Sequence, residues 1–196
     1  AAALPPLLLQ RQRSDPSEAA DDDGEISPGR RVSAIEEIER RLQRETESTR
    51  TFTSAYKRFE RLGSGTFGAV YRCTRRLDHK VFAVKEISLT GLLKKDVEGL
   101  RREVTLQRKV GQHPNIVSLV EVFEENDALL VVMEYVSGGE LFDRIKAFRG
   151  GMPEEEVRVV VRTLGAALSH CHRVNIVHHD LKPENIPAEI ESNHYT

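Results

Sequence analysis

The chain has 196 residues, with 29 lysines and arginines against 31 aspartates and glutamates, a formal net charge of −2. A balance this near neutrality, with no basic stretch interleaved with aromatics, argues against nucleic acid as a partner. No apolar run reaches bilayer length, since residues 4–9 are too short and lack a signal-peptide cleavage pattern, and Cys73 and Cys171 are too few for a disulfide scaffold. A reduced intracellular setting away from membranes, cytoplasmic or nuclear, is expected.

Residues 1–54 are rich in Pro, Ser, Asp and Arg and are expected to be largely disordered. The acidic run at 21–25 is too short and crowded for a calcium loop. Ser33 and Glu36 have the spacing of a capping box ahead of Ile35, Ile38 and Leu42, which predicts a short helix over 33–44. The first residue is Ala1 and not methionine, which suggests an incomplete or alternatively ended gene product.

Alternating apolar residues predict strands over 56–62, 69–75 and 81–88. Between the first two lies Gly63-Ser64-Gly65-Thr66-Phe67-Gly68, where the glycines let backbone N–H groups approach phosphate oxygens with no Cβ in the way. A dinucleotide-binding turn would open a helix here, but the β-branched and aromatic run from Ala69 to Thr74 continues as strand. A Walker loop is excluded because no Gly-Lys-Ser or Gly-Lys-Thr completes it. The third strand brings Lys85, a point charge for the same anion. A helix follows over 95–110, with Leu100, Val104, Leu106 and Val110 on its apolar face and Glu103 placed to meet Lys85, Glu98 being the alternative. Strands over 119–124 and 128–134 precede the glycine pair Gly138-Gly139 and a helix over 140–147.

The last helix, over 153–173, starts with Pro153 in its first turn and Glu154, Glu155 and Glu156 against its positive end. Its stripe of Val157, Val160, Val161, Leu164, Leu168 and Cys171 is predicted to be buried. His170, Cys171, His172, His178 and His179 crowd together, but their spacing fits no zinc pattern and Cys171 belongs to the apolar face. The sequence then reads His178-His179-Asp180-Leu181-Lys182-Pro183-Glu184-Asn185.

From about residue 56 to 185 these motifs, in this order, resemble the eukaryotic protein kinase superfamily in its serine/threonine branch, most closely the calcium/calmodulin-dependent group. The resemblance implies an α+β fold, a small lobe made of a five-stranded antiparallel sheet and one helix, followed by the first helical part of the large lobe. The implied division is a small lobe at 55–136, a hinge and start of the large lobe at 137–186 and an atypical tail at 187–196. It further implies ATP and magnesium as cofactors. Leu62, Gly63, Gly65, Gly68, Val70 and Ala83 would close over the nucleotide. Lys85, fixed by Glu103, would hold the α- and β-phosphates, Met133 would be the gatekeeper, and the backbones of Glu134 and Val136 would meet the adenine edge. Glu140 would take the ribose.

In the loop, Asp180 would orient or accept the proton of a substrate hydroxyl, Lys182 would steady the γ-phosphoryl group and Asn185 would hold one magnesium ion. His179 stands where the family has an arginine that grips an activation-loop phosphate, a task for which imidazole lacks the bidentate fork. Glu140 and Glu184 correspond to acids that meet arginines on the N-terminal side of a target Ser or Thr, implying a basic substrate context. After Asn185 the resemblance stops: Pro187 replaces an apolar residue, and no Asp-Phe-Gly occurs anywhere. Most of the large lobe is expected to be missing, leaving apolar surface of the last helix exposed. The implied function is a partial ATP-dependent serine/threonine protein kinase domain, active if completed by the rest of the large lobe. The alternative is a catalytically inactive nucleotide- or protein-binding remnant serving as a regulatory module.

Overall fold

The computed structural model describes residues 10–11, 50–65 and 68–188. The expected helix over 33–44, Thr66 and Phe67 at the hairpin tip, and residues 189–196 of the tail lie outside this range. In chain order the elements are β1 (Gln10–Arg11), α1 (Phe52–Ala55), β2 (Tyr56–Gly65), β3 (Gly68–Arg75), β4 (Val81–Ser88), α2 (Lys94–Val110), β5 (Leu119–Glu125), β6 (Ala128–Glu134), α3 (Leu141–Ala147), α4 (Glu154–Arg173), β7 (Ile176–Val177) and a 3-10 turn at Pro183–Asn185. Strands β2 to β6 form one antiparallel sheet in the order β2-β3-β4-β6-β5, and β1 pairs with β7.

Strand β6, interior to the sheet between β4 and β5, reads Ala-Leu-Leu-Val-Val-Met-Glu, a nearly continuous apolar run because both its faces are covered. Leu129, Val131 and Met133 join Ile87 and Val122 under Leu100 and Val104 of α2. Leu130 and Val132 point the other way, into a layer with Tyr56, Cys73, Val84 and Phe123. That second layer is sealed by α1, a single turn whose Thr51 cap accepts the Ser54 N–H at 3.2 Å. Phe52 stacks on Tyr56 at 5.5 Å and meets Phe123 edge-on at 5.8 Å. The Tyr56 hydroxyl donates to Glu121 at 2.9 Å, and burial pushes its ionisation well above the usual phenol value. Phe52 and Thr51–Ser54 thus belong to the folded small lobe, although composition assigns them to the 1–54 segment.

Strand β2 runs past Leu62 to Gly65, so the glycine segment is itself the end of a hairpin, with Gly63 opposite Val70, Ser64 opposite Ala69 and Gly65 opposite Gly68. Gly68 has φ +149°, and a Cβ there would lie 1.9 Å from the Glu86 carbonyl oxygen on β4. Only glycine lets β3 pass this close to its neighbour. Gly68→Ala is therefore expected to cost ~2–3 kcal/mol and lower the thermal midpoint by roughly 5–10 °C in a calorimetric scan.

Helix α4 corrects one expectation. Its C-terminal end is packed, with Ala167 and Cys171 buried and Cys171 in a cluster with Leu106, Val110 and Ile176. Toward its start, Val157 is 40% and Val161 62% exposed. The predicted stripe is therefore buried only where α2 and β7 lie against it. The first turns are tied instead by Arg144 of α3, whose guanidinium places two nitrogens on Glu156 Oε2 at 3.0 and 2.8 Å. The open valines agree with the expectation that this helix leaves apolar surface uncovered.

Candidate functional site

Cross-strand register gathers the nucleotide candidates on one face of the sheet. Val70 on β3 pairs with Lys85 on β4, which pairs with Val131 on β6, and Ala83 pairs with Met133. Residues two apart on a strand share a face, so Val70, Ala83, Lys85 and Met133 stand together on the side that carries α2. Val70, Ala83 and Met133 are buried, while Leu62 is half-buried on the adjoining strand. Lys85 is only 6% exposed.

Burial pulls the Lys85 ammonium below its ordinary value, and the Glu103 charge opposes that pull. Burial likewise raises Glu103 from 4.5 to about 7, against the attraction of Lys85. The two groups act on each other through space, but among the described residues no direct ion pair joins them. Glu103 thus neighbours Lys85 without clamping it, and the desolvation of each is opposed by their through-space attraction. Glu98, the alternative, lies on the exposed side of α2, 4.0 Å from Lys94.

The Glu103 shift has a sign that can be checked. Between pH 4.5 and about 7 the folded carboxyl keeps a proton that the unfolded chain has lost. Stability therefore falls as pH rises through that window. Glu103→Gln removes the titration, so its melting temperature relative to wild type should be highest near pH 8, and the difference should close toward pH 5. A gap that stays constant with pH would contradict the assignment.

Beyond β6, Glu134 donates its N–H to the Ser118 carbonyl at 3.0 Å and accepts the Ser118 N–H on its own carboxylate at 3.2 Å. That fixes the hinge strand to β5, with Val136 half-buried just beyond. Glu140 precedes α3, and its carbonyl accepts the Arg144 N–H at 3.2 Å. It also bridges to Pro187 in an antiparallel pair. The two bonds of that pair come from the flanking residues, Leu141 N–H to Ile186 O at 2.8 Å and Ala188 N–H to Gly139 O at 3.0 Å. Pro187 sits where no N–H is called for, so the proline is accommodated and Ala188 is buried beside the hinge.

Left-handed residues flank β7, Asn175 just before it and His179 in the loop after it, both at φ 57°. Two side chains converge on the Asp180 carboxylate. Lys182 Nζ lies 2.9 Å from Asp180 Oδ2. Asn185 Nδ2 donates to the same oxygen at 2.9 Å and to the Asp180 carbonyl at 2.7 Å. Lys182 first, then Asn185, holds the Asp180 carboxyl below the usual range. His178, half-buried, accepts the Asp180 N–H on Nδ1 at 3.4 Å. Sequence reasoning assigned roles to Asp180, Lys182 and Asn185 but missed that His178 and Asn185 hold Asp180 in place. It also missed the Arg144–Glu156 tie, because long-range pairs leave no local signal.

A protein-family model described as a protein kinase domain matches residues 56–194. That match continues past Asn185, where the sequence resemblance stops, in keeping with the strand-like pairing of Pro187 and Ala188. Calcium-dependent protein kinase 12 of Oryza sativa subsp. japonica is 41% identical over 145 residues, covering 74% of this chain and 26% of the relative. Calcium-dependent protein kinase 10 of Arabidopsis thaliana is 44% identical over 125 residues, covering 63% and 23%. Among solved structures, a twitchin kinase fragment from C. elegans aligns with a TM-score of 0.62 at 34% identity, covering 69% of this chain and 30% of that one. The chain thus spans about a quarter of the length of these curated relatives.

Proposed function

This chain belongs to the protein kinase family, and on that premise we propose that it is the nucleotide-binding lobe and catalytic loop of a serine/threonine kinase. It would transfer the γ-phosphate of ATP to protein Ser or Thr when joined to the remaining large-lobe elements. The observation that carries this reading is the set of donors on Asp180. Oδ2 takes both Lys182 and Asn185, which leaves Oδ1 to accept a substrate hydroxyl. A carboxylate held below its usual range stays ionised near neutrality and orients that hydroxyl more than it strips it.

The residues present fit both cofactors. Val70, Ala83 and Met133 offer an apolar shelf for a base, Lys85 a buried cation for phosphate, and Gly68 a hairpin with no side chain in the way. Asn185 spends Nδ2 on Asp180 and keeps its amide oxygen for a hard cation. Magnesium bound with ATP would supply neutralisation of the phosphate charge. A second reading, nucleotide binding without transfer by this chain, is favoured by the absence of Asp-Phe-Gly from its sequence.

The acidic pair Glu140 and Glu184 supports a substrate with arginines N-terminal to the target residue. In fluorescence anisotropy with a non-hydrolysable ATP analogue present, an arginine-bearing serine peptide should bind at least ~5-fold tighter than an acidic one. Glu140→Ala should shrink that preference. Equal binding of the two peptides, or an unchanged ratio in the variant, would remove Glu140 from substrate choice.

A further inference from the structure

Outside this site, a pair of histidines sits where the end of α2 meets α4. The rings of His113 and His170 are 4.8 Å apart, centroid to centroid, with their planes tilted by 35°. His170 Nε2 lies 2.7 Å from the carbonyl oxygen of Val110, the last residue of α2. A carbonyl only accepts, so Nε2 carries the proton. Nδ1 of the same ring faces the Arg173 guanidinium at 3.5 Å, and a guanidinium only donates. His113 Nδ1 accepts the backbone N–H of Asn115 at 3.1 Å. Both rings are therefore neutral Nε2–H tautomers, each with its other nitrogen turned to a donor.

We propose that His170 is a positioning residue and that, with His113, it forms a proton-sensitive clasp holding the end of α2 onto α4. A second proton on His113 would turn its Nδ1 into a donor opposite the Asn115 N–H and set a charge against the His170 ring and Arg173. Among the described residues, the charged groups acting on His113 are His170 and Arg173, and neither is a carboxylate. On α4 the titratable or charged neighbours in sequence are Arg173, His172 and Cys171, and on the last turn of α2 they are Arg108 and Lys109. None of these is a carboxylate.

Burial, then the positive groups nearby, hold His113 below the ordinary imidazole value of 6.5. Below that value the unfolded chain binds protons that the folded joint refuses, so its stability is present above about 6.5 and lost as pH falls. The joint lies over the cluster of Leu106, Val110, Cys171 and Ile176. It thus couples the helix bearing Glu103 to the helix that leads into the Asp180 loop. This inference stands apart from any transfer activity, because its readout is structural.

The test compares the whole chain with the His113→Gln/His170→Gln double variant, in which the amide introduced in place of His170 can still donate to Val110 and neither position titrates. Amide exchange in the last turn of α2, corrected for intrinsic rates, should be at least ~10-fold faster at pH 5.5 than at pH 7.5 in wild type and change less than ~2-fold in the variant. Ring-nitrogen NMR of wild type at pH 7.5 should show both imidazoles as Nε2–H tautomers, a measurement that needs no folded variant. Equal acceleration in the two proteins, or an Nδ1–H tautomer on either ring at pH 7.5, overturns the proposal.

Discussion

Lys85→Met should weaken ATP binding by ~10–100-fold in a calorimetric titration while leaving the fold intact. A charge-assisted contact to phosphate is worth about 1.5–3 kcal/mol, and it is made only when the anion arrives. In the free protein the same ammonium is buried, held below its ordinary value and without a direct ion-pair partner among the described residues. Methionine fills nearly the same volume without that desolvated charge, so the melting temperature should hold or rise. The two measurements together separate lost recognition from lost structure. Undiminished affinity in a folded variant would remove Lys85 from the nucleotide site.

The second large effect concerns transfer by residues 1–196 alone. Kinases turn over at about 1–100 per second, and this chain is expected to fall at least ~10³-fold below that range with a basic peptide and magnesium–ATP. Asp180, Lys182 and Asn185 are assembled. Positioning is only part of the rate, however, and the other part is neutralising charge on the phosphates, which needs carboxylate ligands for the cation. Asn185 would offer only a neutral oxygen, and the sequence has no Asp-Phe-Gly to add an anionic one. Radiolabelled transfer at about one per second, abolished by Asp180→Asn, would refute this.

Much of this architecture was legible because it is local. Strands alternating at period two and helices with apolar positions three and four apart gave β3, β4, β5, β6, α2 and α4 to within one residue at their ends. Gly68 was chosen for phosphate access, whereas its tightest constraint is the Glu86 carbonyl of the next strand, a neighbour no local pattern reveals. Val157 and Val161 had the right spacing to be buried, but spacing names a face and not what covers it. Pro187 looked like a break because it stands where the resembled family has an apolar residue. The register of the hinge pair, invisible in the sequence, puts it opposite Glu140 where no donor is used. Glu103 was found by helical phase, and its separation from Lys85 follows from how α2 sits on the sheet.

The aromatic seal made by α1 bears on where this lobe can be cut. Motif-based boundaries begin it at Tyr56, yet a recombinant piece starting there would strip one ring from a three-ring cluster and uncover the edge-on contact of Phe123. It would also lose Arg50, which reaches Glu121 at 2.9 Å, and the Phe52 N–H on Glu125 at 3.2 Å. Such a fragment would keep every family motif that this chain carries and still be sticky in solution, since the border that matters for expression is drawn by packing.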